Sequence, residues 1–140
     1  VDRAALDAAL ERGVRCGGWC PRGRRAENGR IPAHYPLTET SSPDYPERTE
    51  RNVLEADGTL ILTRGVPRGG TALTERLARQ HGKPHLSINL ELRPQIAPIV
   101  EWVHKHRLRT VNVAGPRESQ SPGIEAQARE LLVSLLRALE

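Results

Sequence analysis

The chain has 140 residues, with 21 Lys and Arg against 17 Asp and Glu and a formal net charge of +4. That length fits one domain, no apolar run approaches the roughly 20 residues of a membrane-spanning helix, and a +4 balance spread along the chain is a thin footprint for nucleic acid. Two cysteines cannot build a disulfide framework, so a reducing cytoplasm is the expected compartment.

Val1-Asp2-Arg3 leads straight into a helical pattern without an initiator Met, so the natural N-terminus is expected upstream. Residues 3–12 are rich in Ala and Leu, with Leu6 and Leu10 four apart, and read as a helix. Asp2 is its expected N-cap and Gly13 its C-cap. Val14 to Trp19 reads as a short strand. Residues 20–46 carry Pro21, Pro32, Pro36, Pro43 and Pro46 without periodicity. A loop this long inside a domain is a ligand cover or a surface excursion.

A helix over 47–56 ends before the turn Asp57-Gly58, and Thr59–Thr63 is a buried strand. After the Gly/Pro loop 64–70, Thr71–His81 reads as a helix with Leu73 and Leu77 inward, stopped by Gly82 and Pro84. His85–Asn89 is a strand. Pro94–His106 is a helix with Pro94 in its first turn and Ile96, Ile99, Val100 and Val103 on one face. Thr110–Ala114 is a strand and 115–121 a polar loop. Pro122–Leu139 carries the best helical stripe, from Ile124 through Ala128, Leu132 and Leu135 to Leu139.

Strand, loop and helix therefore alternate three times, which predicts an α/β fold with a mostly parallel sheet and helices on both faces. Ligands on such sheets bind beyond the carboxyl ends of the strands. Two loops there suit an anion. In Gly65-Val-Pro-Arg68-Gly69-Gly70-Thr71, the glycines let backbone approach a phosphate, the helix start supplies N–H groups, Arg68 neutralises charge, and Thr71 caps the helix or bonds a phosphate oxygen. In Gly115-Pro-Arg117-Glu-Ser119-Gln-Ser121, Ser121 is the natural N-cap, while Arg117 and Ser119 have no such structural duty. Arg48 to Asn52 read as a solvated helix face.

Cys16 and Cys20 are half of a metal site at most, and the histidines have no ligand spacing, so no structural zinc is expected. Thiolates there could still touch a thiophilic molybdenum species. No nucleophilic triad, Walker lysine or G-x-G-x-x-G fingerprint is present.

Ordered strings along the whole chain resemble the molybdenum carrier family. They include Asp2-Arg3-Ala-Ala-Leu, Gly17-Gly18-Trp19-Cys20-Pro21-x-Gly23-Arg24-x-Ala26-Glu27, Ile31-Pro32-x-x-Tyr35-Pro36-Leu37, Arg48-Thr49-x-x-Asn52-Val53, Asp57-Gly58-Thr59-Leu60, Gly69-Gly70-Thr71 and Asn112-Val113-Ala114-Gly115-Pro116-Arg117-x-Ser119. That family is a circularly permuted branch of the superfamily of DprA and the Lonely Guy phosphoribohydrolases. The resemblance implies one circularly permuted Rossmann-like domain over 1–140. It also implies a strand and a Gly-rich loop upstream of Val1. The implied ligand is the molybdenum cofactor (molybdopterin) or a nucleotide, held without turnover by Asp2, Arg3, Arg68, Gly69, Gly70, Thr71, Gly115, Arg117 and Ser119. Loop 20–46 would cover it, with Trp19 nearby, and a homodimer or homotetramer is expected.

Two alternatives follow from the same resemblance. A phosphoribohydrolase-like enzyme would use Glu75 as acid/base, with Arg48 or Arg68 on the phosphate of a nucleoside monophosphate. The Lonely Guy pattern is Pro-Gly-Gly-x-Gly-Thr-x-x-Glu, whereas here Gly70 runs directly into Thr71 and Glu75 falls four residues on rather than three. That offset turns the carboxylate roughly 100° around the helix. DprA-like binding of single-stranded DNA is the other alternative. Trp19, Trp102, Tyr35 and Tyr45 are few rings for it.

Overall fold

The computed structural model describes residues 1–20, 22–26, 29–41 and 44–140; Pro21, Glu27 and Pro43 of the sequence motifs lie outside the described residues. Helix α1 spans Asp2–Glu11. Four two-residue strands follow: β1 Trp19–Cys20, β2 Arg25–Ala26, β3 Gly29–Arg30 and β4 Thr38–Glu39. Then come α2 Tyr45–Glu55, β5 Gly58–Thr63, α3 Gly69–Gln80, β6 His85–Asn89, a 3-10 turn Leu90–Leu92, α4 Ala97–Lys105, β7 Val111–Ala114 and α5 Ile124–Leu139.

The three longer strands form one parallel sheet in the order β6–β5–β7. Leu60 sits opposite Leu86 on one side and Val113 on the other. Every residue of β5 is buried, as expected of a central parallel strand. Alternation along it sends Leu60 and Leu62 into the larger core, with Ile99, Trp102 and Val103 of α4, Ile124, Ala128, Leu132 and Leu135 of α5, and Ala4 and Ala8 of α1. The fully buried alanines let α1 lie close to α5. Val53 of α2 packs with Leu77 and Ala78 of α3 in a second cluster. Burying each such large aliphatic chain is worth about 1.5–3 kcal/mol. This is the Rossmann-like α/β architecture read from the strand-helix alternation.

Several element ends differ from expectation. Val1, not Asp2, is the N-cap of α1, because Asp2 turns its carboxylate to Arg48 at 2.8 Å. The strand expected over Val14 to Trp19 shrinks to β1, paired in parallel with β4. The Asn52 side-chain amide accepts the Trp19 N–H at 2.8 Å and donates to the Trp19 carbonyl at 3.2 Å, standing in for a neighbouring strand. Helix α3 starts at Gly69 rather than Thr71, since the extended Arg68 carbonyl already accepts the Thr71 and Ala72 N–H groups. Helix α4 starts at Ala97 with Pro98, not Pro94, in its first turn. The 3-10 turn absorbs the preceding residues: Asn89 Oδ1 caps it from the Glu91 N–H, and Arg93 closes it with φ +47.

The Pro-rich segment is organised around one buried cation. Arg24, 9 % exposed, donates to the carbonyls of Ile31, Pro32, Tyr35 and Leu37 at 2.7–3.3 Å. Tyr35 then fastens the segment to α1, its hydroxyl donating to Asp7 Oδ1 at 2.7 Å. Burial and that carboxylate push the Tyr35 hydroxyl up to about 12.

Candidate functional site

Helix α3 leaves β5 toward one face of the sheet, while α5 leaves β7 on the other. The loops after these two adjacent strands therefore diverge and leave a crevice, the place where open α/β sheets take ligands. A cleft of about 1560 Å³ runs along β7 from Thr110 to Arg117 and reaches α1, β1, α2 and the start of α3. A smaller cleft of about 440 Å³ lies between Arg64, Arg68, Gly69, Glu91, Pro116 and Ser121.

The start of α3 is open. Arg68 provides no side-chain cap, and the Gly69 and Gly70 N–H groups have no partner among the described residues. A Cβ on either glycine would meet nothing within 4 Å. Thr71 is 6 % exposed. Its hydroxyl has no partner among the described residues, yet no buried side-chain oxygen or nitrogen there is left unbonded, so this hydroxyl opens on the cleft that Thr71 lines. Two free amides, a hydroxyl and a positive helix end suit a phosphate oxygen.

The start of α5 is closed. Ser121 is not its cap: Gly123 takes the N-cap position with φ +88, and the Ser121 hydroxyl accepts from Arg64 at 3.2 Å. Glu118 does the capping, taking the Gly123 N–H at 2.6 Å and the Glu125 N–H at 3.0 Å. These amides hold its carboxyl below the usual carboxylate range. Arg64 is committed to Gln127 Oε1 at 3.0 Å and the Pro122 carbonyl at 2.7 Å. Gly115 has a packing duty, because a Cβ there would stand 2.2 Å from the Leu62 carbonyl oxygen and 2.5 Å from Val1 Cγ2.

Charged groups gather where α1, α2 and the loop after β7 meet. The Arg117 guanidinium lies 4.4 Å from the centre of the Tyr45 ring, and that of Arg48 lies 5.9 Å from it. Arg48 reaches on to Asp2, and Arg3 stands 5.7 Å from the Tyr35 ring. Such cation–ring contacts orient guanidinium groups without neutralising them. Residues 48–52 are thus not a solvated face: Arg48 and Asn52 turn inward, Thr49 is buried, and Glu50 and Arg51 face out. Trp19 lines the cleft, with its indole N–H on Glu55 at 2.5 Å and Arg51 4.7 Å from its ring.

Of the residues singled out from sequence, Asp2, Arg3, Gly69, Gly70, Thr71, Gly115 and Arg117 line the large cleft together. Arg68 lies on the smaller one with Gly69. Ser119 is exposed and lines neither. Glu75 also lines neither; it binds Arg79 at 3.1 Å and the Ser87 hydroxyl at 3.1 Å. Tyr45, Asn52 and Glu118 were missed. Glu118 sits five residues before the amide it caps, outside the local spacing of a capping box. Burial pushes both the Cys16 and Cys20 thiols up, offset at Cys20 by Arg24 and Arg48, which favours neutral thiols over thiolates. Among the described residues no group of three or more His, Cys, Asp or Glu could hold a metal ion. No helix there is long and apolar enough to cross a membrane.

Comparison with known proteins places this geometry. The sequence matches the circularly permutated YpsA SLOG family over residues 1–136. The chain belongs to that family. A solved structure from Syntrophus aciditrophicus SB, described as a "putative molybdenum carrier protein", shares 45% identity and superposes with a TM-score of 0.91. The match covers 96% of this chain and 87% of that one. No curated protein matches. In this family member the permuted order puts the loop after β7 near the end of the sequence, yet folding returns it to the start of α1, where the Val1 backbone nitrogen donates to the Pro116 carbonyl at 3.1 Å.

Proposed function

We propose that this protein is a carrier that holds a small phosphate-bearing ligand, the molybdenum cofactor or a nucleotide, without turning it over. The observation that carries this reading is the open start of α3: free Gly69 and Gly70 amides beside the unpartnered hydroxyl of Thr71, which opens on the same large cleft that both glycines line. Arg68 and Arg117 supply positive charge around it, and Arg3 and the Asp2-paired Arg48 line the same large cleft. The name of the Syntrophus relative supports a molybdenum-containing cargo. Molybdenum here is cargo, held through the cofactor's own anionic group. Glu75 is turned to Ser87 and Arg79 and lines neither cleft, which counts against the phosphoribohydrolase alternative that would use it.

The same reading has a cytoplasmic homo-oligomer carry the cofactor. Native mass spectrometry of the full-length protein, purified gently from its own host, tests the proposal. A co-purifying phosphate-bearing pterin with molybdenum, or a nucleotide, is the expected result. A ligand without an anionic group, or free base released from added nucleoside monophosphates, would overturn it.

A further inference from the structure

The smaller cleft is built like a site of its own. Thr63 closes β5 at its carboxyl end, on the strand face opposite Leu62. It is 3 % exposed, and its hydroxyl has no partner among the described residues. No buried side-chain oxygen or nitrogen there is left unbonded, so this hydroxyl opens on the cleft that Thr63 lines. A buried hydroxyl with no protein partner takes its bond from water or a ligand. The walls around it are tied in place. Asn89 Oδ1 accepts the Gly65 N–H at 3.1 Å and the Glu91 N–H at 3.0 Å, joining the loop after β5 to the 3-10 turn. Arg64 holds Ser121 on one side and Gln127 on the other, and Gln127 donates to the Leu90 carbonyl at 2.9 Å. The Glu91 carboxylate has no partner among the described residues, and Val66, 77 % exposed, offers an apolar surface on the same cleft. Its volume of about 440 Å³ falls within the range of small-molecule pockets. The two clefts also meet. Gly69, Pro116 and Gln120 line both, whereas Gly70 and Thr71 line only the larger. The free amides at the start of α3 therefore begin on the shared rim. Arg68 lines the smaller cleft and Arg117 the larger, one cation to each side.

We infer that the smaller cleft is a second subsite, and that the ligand is a pyrophosphate carrying an organic group at each end. The pyrophosphate lies across the rim at Gly69, between Arg68 and Arg117. One organic group fills the larger cleft. The other, a hydroxyl-bearing group such as a ribose with its ring, fills the smaller. There the Glu91 carboxylate accepts from its hydroxyls, the Thr63 hydroxyl bonds one of them, and Val66 packs on the ring. This rests on the anion site at the start of α3 and extends it with a place for the ligand's second half.

The test is to titrate the full-length protein with diadenosine 5′,5′-pyrophosphate, adenosine 5′-diphosphate and adenosine 5′-monophosphate, in wild type and in Thr63→Val, Thr63→Ser and Glu91→Gln. The wild type should bind the two-armed probe at least about tenfold more tightly than either one-armed nucleotide. Thr63→Val keeps the shape and removes the hydroxyl. It should fold as stably as wild type, since the lost group had no protein partner, and weaken the two-armed probe about threefold to tenfold, the size of one hydrogen bond. Thr63→Ser restores the hydroxyl and should restore the affinity. Glu91→Gln, on the exposed turn, should weaken the two-armed probe about tenfold. Neither Thr63→Val nor Glu91→Gln should move monophosphate binding by more than about twofold. Equal or tighter binding of a one-armed nucleotide by wild type overturns the inference. So do variants that leave the two-armed probe unaffected, or that weaken all three nucleotides alike. If none of the three nucleotides binds wild type, the anion site at α3 fails and this inference fails with it. Monophosphate binding without a preference for the two-armed probe sinks this inference alone.

Discussion

Gly115 and Gly70 belong to the two loops that looked alike in sequence, and the structure gives them opposite duties. A methyl group on Gly115 would run into the Leu62 carbonyl and Val1. Gly115→Ala should therefore cost about 1–3 kcal/mol, as overpacking does, read as a lower denaturant midpoint at unchanged slope. A methyl group on Gly70 meets nothing. Gly70→Ala should leave stability level or raise it by up to about 1 kcal/mol, while weakening ligand binding by crowding the free amides. A loss of stability in Gly70→Ala comparable to that in Gly115→Ala would contradict this division. Asp57 makes a different kind of prediction. Its carboxylate accepts the Arg109 and Thr110 N–H groups at 2.9 Å each, which lowers its pKa. A carboxyl depressed by folding stabilises above its unfolded value of about 3.9 and loses that contribution as pH falls through the folded value. Asp57→Asn should thus melt lower than wild type at neutral pH. The gap should close as both are acidified below about pH 4; melts that stay parallel across that range would refute the assignment.

At the scale of elements, what could be read from sequence was whatever periodicity governs. The stripe from Ile124 to Leu139 and the apolar run Thr59–Thr63 became α5 and β5 with ends shifted by a residue or two. The open start of α3 was legible as a Gly-Gly-Thr string after a strand. Long-range side-chain bonds were not. Asn52 reaches β1, Arg48 reaches Asp2, and Glu118 reaches past four residues to Gly123. None of these leaves a local spacing to read. Arg24 is the clearest case, since nothing near it in sequence announces a buried guanidinium serving four carbonyls. Arg24→Ala should leave the far-ultraviolet spectrum of the sheet and large helices nearly intact while making residues 29–40 sensitive to proteolysis. Arg24→Lys should not rescue it, because a compact ammonium with three donors cannot span four carbonyls as a planar fork does. Full protease resistance in Arg24→Ala would show that the segment is held by other contacts.

At the scale of the whole molecule, the permuted chain order matters less than where folding brings its pieces. The start of α1, the start of α2 and the loops after β5 and β7 come from distant parts of the sequence and meet on one cleft. Arg117 and Arg48 approach the two ring contacts of Tyr45 from different elements, so Tyr45→Ala should weaken ligand binding by loosening both cations without touching the α3 amides. The central claim is that the ligand's phosphate sits at the start of α3. It is tested most directly by a crystal structure of the full-length protein grown with adenosine 5′-monophosphate. The account predicts phosphate oxygens within about 3 Å of the Gly69 and Gly70 nitrogens and the Thr71 hydroxyl. A phosphate bound elsewhere, with those three groups facing solvent, would contradict it.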